Sequence, residues 1–314
     1  MSATTTSLDC RLMCACGCAY YIQTSDGQYN PPPSNPFTGT VNFSGTPTAI
    51  QSQDQLNACL VGQNADGIIV AFRGTLPPDL DDPDSVLDWL QDFFAAPTTG
   101  SNVPGKVHSG FYQAVMSILT DVNNAVQTLL TGSETPPPVY VTGHSKGGAM
   151  ASISAYVLSQ SYQVPIQQVV TFASPKPGDG DFQTGYESVI GNQVRYENYG
   201  DIVPLLPPSD TFIALMVALL ALIPDVGQDL ANLFKSAEGW DYQAVGSEEF
   251  ITENFDVISN ESWAAQTLAV FLELGEDLLE LNFSSLGDAH SLQCGYGYMS
   301  GTCPGVCDTS DDEE

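Results

Sequence analysis

The sequence predicts an α/β fold, a mainly parallel central sheet with helices on both faces, from two kinds of pattern. Short apolar runs rich in β-branched residues alternate along the chain with longer segments of helical periodicity, the rhythm of strand–helix–strand units. One of these runs leads without a break into Gly143-His144-Ser145-Lys146-Gly147, a glycine-flanked turn between a strand and a helix. With 314 residues and 43% hydrophobic composition, the chain can bury one substantial core. Residues 1–307 are therefore read as a single domain and 308–314 as a solvated acidic tail.

The elements follow in order. Leu8 to Gln23 reads as a helix and the proline-rich stretch Asn30 to Pro36 as a loop. Gly67 to Phe72 (GIIVAF) is continuously apolar, as a strand buried on both faces must be, and it ends at Arg73-Gly74-Thr75. A loop rich in Pro and Asp, Leu76 to Ser85, precedes a short amphipathic segment, Val86 to Phe94. His108 to Leu130 carries apolar residues at 111, 115, 118, 119, 122, 126, 129 and 130, a helical stripe ended by Gly132 and the prolines at 136–138. Val139 to Thr142, Gln168 to Ala173 and Gln193 to Tyr199 read as strands, with helices at Gly147 to Gln160 and Asp181 to Ile190 between them. After Asp201 the rhythm breaks. Residues 204–235 form a proline-bounded apolar insertion, and a strand near Trp240 to Val245 and a helix from Trp263 to Leu281 lead to a C-terminal loop.

Charge and cysteine usage narrow the partners. Thirty-seven Asp and Glu against seven Lys and Arg give a formal net charge of −30. Such a surface repels phosphate polyanions, so nucleic acid is excluded as a partner, and adsorption to a lipid interface has to be driven by apolar contact. Self-repulsion of this kind also favours solubility. The eight cysteines, at 10, 14, 16, 18, 59, 294, 303 and 307, cluster at the two ends, and their even number suits disulfides in an oxidising compartment. Their spacings do not match paired structural zinc ligands, so no metal is expected; Cys59, which stands apart, reads as a buried free thiol. The first residues have neither the basic nor the apolar region of a signal peptide: either a leader lies outside this chain or export takes another route, and an extracellular location is the expectation. The longest apolar run, Phe212 to Ile223, is shorter than the roughly 18 residues a membrane span requires.

The chemistry gathers at Ser145. A serine on a sharp strand–turn–helix has its hydroxyl projected above the sheet, at a helix N-terminus that favours developing negative charge. It still needs a base. Of the three histidines, His144 adjoins the serine and cannot fold back onto it, and His108 precedes it, whereas this architecture orders its triad serine, acid, histidine. His290, in an apparent loop, is the candidate base. The acid is expected where a strand ends between the two: Asp201 follows Gln193 to Tyr199, with Asp179, Asp181 and Asp288 as competitors. Oxyanion donors are expected from the backbone N–H of Lys146 and from Thr75, while Arg73 is free to pair with one of the many carboxylates. No cofactor is required by such a mechanism.

These residues together resemble the class 3 lipases, the fungal triacylglycerol lipase family of α/β-hydrolase fold. The match runs through Phe72-Arg73-Gly74-Thr75, Asp88-Trp89-Leu90-Gln91-Asp92, Val107 to Phe111, Thr142 to Gly148, Asn198 to Pro204 and His290. The resemblance implies a Ser145–Asp201–His290 triad with Thr75 and Lys146 lining the oxyanion hole. It implies a helical lid at residues 86–96, whose Val86, Leu87, Trp89, Leu90, Phe93 and Phe94 would meet acyl chains, and a disulfide between the N-terminal helix and the C-terminal segment. Lys146 stands where many members have Leu. The insertion 204–235 is longer than in the compact fungal enzymes; it is either a cap over the site or an ordinary core element. A lipid ester at an oil–water interface is the expected substrate, a triacylglycerol first. A phospholipase A1, a soluble feruloyl-type esterase, or a non-catalytic binding protein on the same fold are the alternatives. The sequence does not indicate an oligomeric state.

Overall fold

A computed structural model of the chain describes residues 6–76, 83–132, 135–221, 226–259, 267, 270, 284–298 and 303. The N-terminal helix α1 (Leu8–Ala19) starts where the Ser7 hydroxyl accepts the Cys10 N–H. A short helix, α2 (Thr38–Val41), precedes the strands β1 (Thr48–Gln51), β2 (Ala58–Gln63) and β3 (Ile68–Phe72). Helix α3 (Pro83–Gln91), strands β4 (Pro97–Thr99) and β5 (Lys106–His108) and the long helix α4 (Ser109–Thr131) follow. Then come β6 (Val139–His144), α5 (Lys146–Tyr162), β7 (Ile166–Phe172), β8 (Gly178–Asp179), α6 (Gly180–Glu187) and β9 (Gln193–Asn198). Helices α7 (Asp210–Leu220) and α8 (Val226–Lys235), strands β10 (Tyr242–Gln243), β11 (Ser247–Ile251) and β12 (Val257–Ser259), and helix α9 (Ser284–His290) follow, with short 3-10 turns at Val203–Leu205 and Tyr296–Tyr298.

Among the described residues the central sheet has eight strands in the order β1-β2-β3-β6-β7-β9-β11-β12. The pairings from β3 to β11 are parallel and the outer ones antiparallel. The parallel centre matches the expectation, and the antiparallel edges add to it. Strand β3 shows why: all five of its residues are buried. Ile68, Val70 and Phe72 enter the core cluster shared with α4 and α5, while Ile69 and Ala71 enter the cluster shared with α1. Alternation along a strand thus feeds two cores, each large apolar side chain contributing about 1.5–3 kcal/mol on burial. A second, small antiparallel sheet has the order β10-β8-β5-β4.

Three expectations need correction. His290 is not in a loop but is the last residue of α9. Arg73 does not seek a carboxylate; its guanidinium donates to the carbonyls of Ile22, Gln55 and Leu56. The strand expected near Trp240 to Val245 is only the two residues of β10, and the longer β11 follows it as a parallel member of the central sheet. The helix expected from Trp263 to Leu281 lies outside the described residues save for 267 and 270, and the tail 308–314 and the loop 77–82 lie outside them altogether. No described helix is long and apolar enough to cross a membrane.

Cys10 of α1 is bonded to Cys303, 293 residues away, the tie the resemblance implied. Closing so long a loop stabilises by about 2–5 kcal/mol. Cys294 is disulfide-bonded as well. Cys14, Cys16, Cys18 and Cys59 are buried free thiols. Burial pushes the Cys14 and Cys16 thiols up to about 12, which keeps them unreactive.

Candidate active site

Strand β6 runs into Ser145 and α5 leaves it, and the turn between them is held at φ 58°, ψ −136°. Few non-glycine residues tolerate such a backbone, and it persists only where the surroundings over-determine it. Here the Ser145 N–H donates to the Phe172 carbonyl at 2.9 Å and the Ser145 carbonyl accepts the Gly148 N–H at 2.7 Å. The flanking glycines are steric requirements. A Cβ on Gly143 would collide with the Gly147 carbonyl, and one on Gly147 with the Phe72 carbonyl. The Ser145 hydroxyl is buried and, among the described residues, makes no hydrogen bond. The backbone at Gly74, next to Thr75 in sequence, packs against His144 and Ser145. Thr75 Oγ1 is likewise buried without a partner. Two buried hydroxyls without partners on adjoining turns, each costing about 1–3 kcal/mol of desolvation, suit a site that a substrate would fill. The N–H of Lys146 belongs to the first turn of α5, where N–H groups find no acceptor within the helix.

His290 and Asp201 meet across 89 residues: Nδ1 of the ring lies 3.1 Å from each carboxylate oxygen. Asp201 is fixed by two further donors, the Val203 N–H at 3.0 Å to Oδ1 and the Tyr296 hydroxyl at 2.7 Å to Oδ2. The end of α9 is tethered to the Ser145 turn through His144. Its Nε2 lies 2.7 Å from the His290 carbonyl, which can only accept, so Nε2 carries the proton and Nδ1 accepts from the Tyr20 hydroxyl at 2.8 Å. Burial holds the His144 ring well below the ordinary histidine range, which fits this neutral tautomer. Asn198 adds a third tie, its Nδ2 donating to the Ala289 carbonyl at 2.9 Å. No hydrogen bond joins His290 to Ser145 in this arrangement.

Two cavities flank the site. One, of about 300 Å³ and largely apolar, is lined by Tyr20, Tyr21, Phe37, Thr75, Trp89 and His290 among others. The second, of about 400 Å³ and more polar, is lined by Arg73, Thr75, Asp92, Phe111 and Lys146 among others. Thr75 is common to both. Trp89 packs edge-on against His290 with centroids 5.2 Å apart.

Residues 69–211 match the family described as lipase (class 3). Over this stretch the chain is similar to that family. A secreted mono- and diacylglycerol lipase of Fusarium solani is 31% identical over 143 residues, 45% of this chain and 39% of that protein. A chloroplastic phospholipase A1 of Arabidopsis thaliana is 28% identical over 157 residues, 45% of this chain and 33% of that protein. The chain thus spans well under half the length of these curated relatives. A solved triacylglycerol lipase, whose catalytic centre is a serine-protease triad, superposes with a TM-score of 0.57 at 20% identity over 85% of this chain and 90% of that one. That likeness is one of fold, and the fold is the α/β-hydrolase fold expected of the family.

The residues expected to form a lid separate in the structure. Trp89 is buried and lines the apolar cavity, whereas Leu90 and Phe93 belong to the main core and line neither cavity. Phe94 packs against Phe234 of α8 at 5.2 Å, and the side chains of Val86 and Leu87 lie outside the described residues. The insertion forms α7 and α8, whose Phe212, Ile213, Met216 and Phe234 enter the main core; none of the described residues between 204 and 235 lines either cavity. Asp179 is occupied as the N-cap of α6, accepting the Phe182 N–H at 2.9 Å. Tyr20 and Tyr296 were invisible to sequence reasoning, since nothing local distinguishes them from the other eleven tyrosines.

His108 has a structural task. It caps α4, Nδ1 accepting the Phe111 N–H at 3.2 Å, and its ring stacks on Phe111 with centroids 3.7 Å apart. Accepting there requires the neutral ring, and burial pushes its pKa down to about 4 from 6.5. Below pH 6.5 the unfolded chain takes up a proton that the folded chain refuses, so this group's stability contribution is lost as pH falls from 6.5 towards 4. His108→Asn, which keeps a capping acceptor, removes the effect. The stability gap between wild type and variant, from urea unfolding, should shift by about 2 kcal/mol against the wild type between pH 7 and pH 5; a gap constant with pH contradicts the assignment.

Proposed function

We propose that the chain hydrolyses carboxylic esters of lipids, with Ser145 as nucleophile, His290 as base and Asp201 as the acid that steadies it. The supporting observation is the partnerless Ser145 hydroxyl on its strained turn, with the Asp201-anchored His290 ring tethered to the neighbouring residue. In the reaction, His290 Nε2 takes the Ser145 proton as Oγ attacks the ester carbonyl, and the imidazolium is stabilised through Nδ1–H by Asp201. The developing oxyanion is met by the Lys146 N–H and by the N–H and hydroxyl of Thr75. The ring then protonates the departing alcohol, and water, activated by the same ring, releases the acid. Ser145 and His290 have to draw together for the first step, a tightening common on substrate binding. Trp89 stands on the His290 ring, which supports residues 86–96 as a cover that shifts when lipid arrives. An apolar wall of Tyr20, Tyr21, Phe37 and Trp89 suits an acyl chain. An extracellular location is supported by the Cys10–Cys303 disulfide and by the likeness to a secreted Fusarium lipase.

The test is to label the folded chain with a fluorophosphonate and to compare its rates on emulsified triolein and dissolved p-nitrophenyl butyrate. Labelling together with a preference for the emulsion is expected. An unlabelled, folded chain rules out the hydrolase, and a strong preference for the dissolved ester rules out lipid as substrate.

A further inference from the structure

The polar cavity holds positive charge for which the hydrolytic cycle has no use. Arg73 and Lys146, two of only seven basic residues in a chain with thirty-seven acidic ones, both line it. Arg11 is paired with Asp66, and Arg195 with Glu197 and Glu248. Among the described residues neither Arg73 nor Lys146 has a carboxylate within ion-pair distance. Arg73 is 2% exposed; its two terminal nitrogens donate only to carbonyls and its Nε has no partner among the described residues, so no carboxylate answers its charge beside the cavity. Lys146 is half-buried; Asp92, which lines the same cavity, and Asp54 bear on it from beyond ion-pair distance and are exposed to solvent.

We propose that this cavity is a subsite for the phosphodiester of a glycerophospholipid and that Lys146 is the residue that selects for it. The proposal rests on the ester-hydrolase reading and names its substrate class. Thr75, common to both cavities, marks the position of the reacting carbonyl. With the acyl chain in the apolar cavity, the alcohol portion of the ester falls in the polar one. In a glycerophospholipid that portion carries an anionic phosphate a few bonds from the ester oxygen. In a triacylglycerol it carries two more hydrocarbon chains, which would leave an ammonium and a guanidinium desolvated against alkane, a costly arrangement. An ammonium on a phosphate oxygen is a charge-assisted bond, and in a half-buried site salt screens it weakly. The net charge of −30 opposes anionic bilayers, so the headgroup that fits is zwitterionic overall while keeping its phosphate.

The experiment compares kcat/KM on phosphatidylcholine with kcat/KM on the diacylglycerol of the same acyl chains, both in neutral mixed micelles, for wild type, Lys146→Leu and Lys146→Arg. The phospholipid-to-diacylglycerol ratio should fall by about tenfold or more in Lys146→Leu and stay within about threefold in Lys146→Arg. An unchanged ratio in Lys146→Leu overturns the subsite; if that variant does not fold, Lys146→Gln answers the same question. Binding of a non-hydrolysable diether phosphatidylcholine relative to the diether glycerol, by calorimetry, reads the preference without turnover. Lys146-dependent binding by a chain that cleaves no ester supports the subsite and sinks the hydrolase reading. Hydrolysis with no Lys146-dependent preference in either assay does the reverse.

Discussion

Ser145→Ala should reduce ester hydrolysis by at least about 10⁴-fold and abolish fluorophosphonate labelling, while the chain becomes as stable as, or slightly more stable than, the wild type. The two halves of this result have different causes. Activity disappears because no other described hydroxyl stands on the strained turn between β6 and α5, beside Thr75 and the first N–H of the helix. Stability is retained because the hydroxyl is buried without a hydrogen bond, so deleting it relieves about 1 kcal/mol of desolvation and breaks nothing. Active sites are kept at such a cost to stability, and a mutation that returns it while destroying turnover is the signature of a functional strain point. Thermal melts and initial rates on the same preparations check both halves. A variant that keeps even a tenth of the rate moves the nucleophile elsewhere, and a large loss of stability would show that Ser145 holds the turn instead of serving it.

How much of this was legible in the sequence depends on whether a feature is local. Strand β3 announces itself because burial on both faces demands an unbroken apolar run, and shorter β-branched stretches, Val139-Tyr140-Val141 and Val169-Val170, mark β6 and β7. Strands β1 and β2 do not: β1 is four residues at the sheet edge with one buried side chain, and β2 mixes Cys, Gly and Gln into its run. Strand β11 reads as polar because of Glu248 and Glu249, yet Glu248 is buried by its bond to Arg195 of the neighbouring β9, a pairing only the sheet creates. Ser145, Asp201 and His290 could be singled out from chain order, three histidines leaving one after the serine, but the contact between His290 and Asp201 exists only in the fold. The last helix escaped notice because its seven residues include Gly287. The polar frame around the triad was not legible in any form. Tyr20, His144, Asn198 and Tyr296 come from four separate parts of the chain, and their roles exist only once β6, β9 and α9 are side by side.

That frame decides what Asp201→Asn should do. Both carboxylate oxygens are already claimed, Oδ1 by the Val203 N–H and Oδ2 by the Tyr296 hydroxyl, before the His290 ring is counted. An amide has one acceptor to offer. The backbone N–H of Val203 cannot turn round, so it retains the oxygen, and the NH₂ group takes the place of Oδ2 beside Tyr296. The tyrosine hydroxyl can rotate to accept, but His290 Nδ1, which met two acceptors at 3.1 Å, now meets one oxygen already engaged by Val203 and one donor, which favours the ring form that accepts at Nδ1. The ring switches to the tautomer protonated at Nε2, the atom that has to receive the serine proton. The fold should survive, since shape and packing are preserved, while kcat falls by about 10⁴-fold. Tyr296→Phe, by contrast, removes one of three donors to Asp201 and leaves the tautomer intact, so its loss should be far smaller. Steady-state kinetics on the pair, with the imidazole proton of His290 followed by NMR, separate the two effects. Should Asp201→Asn remain active to within tenfold, the ring is steadied by another carboxylate, and Asp288, two residues before it on α9, becomes the group to examine.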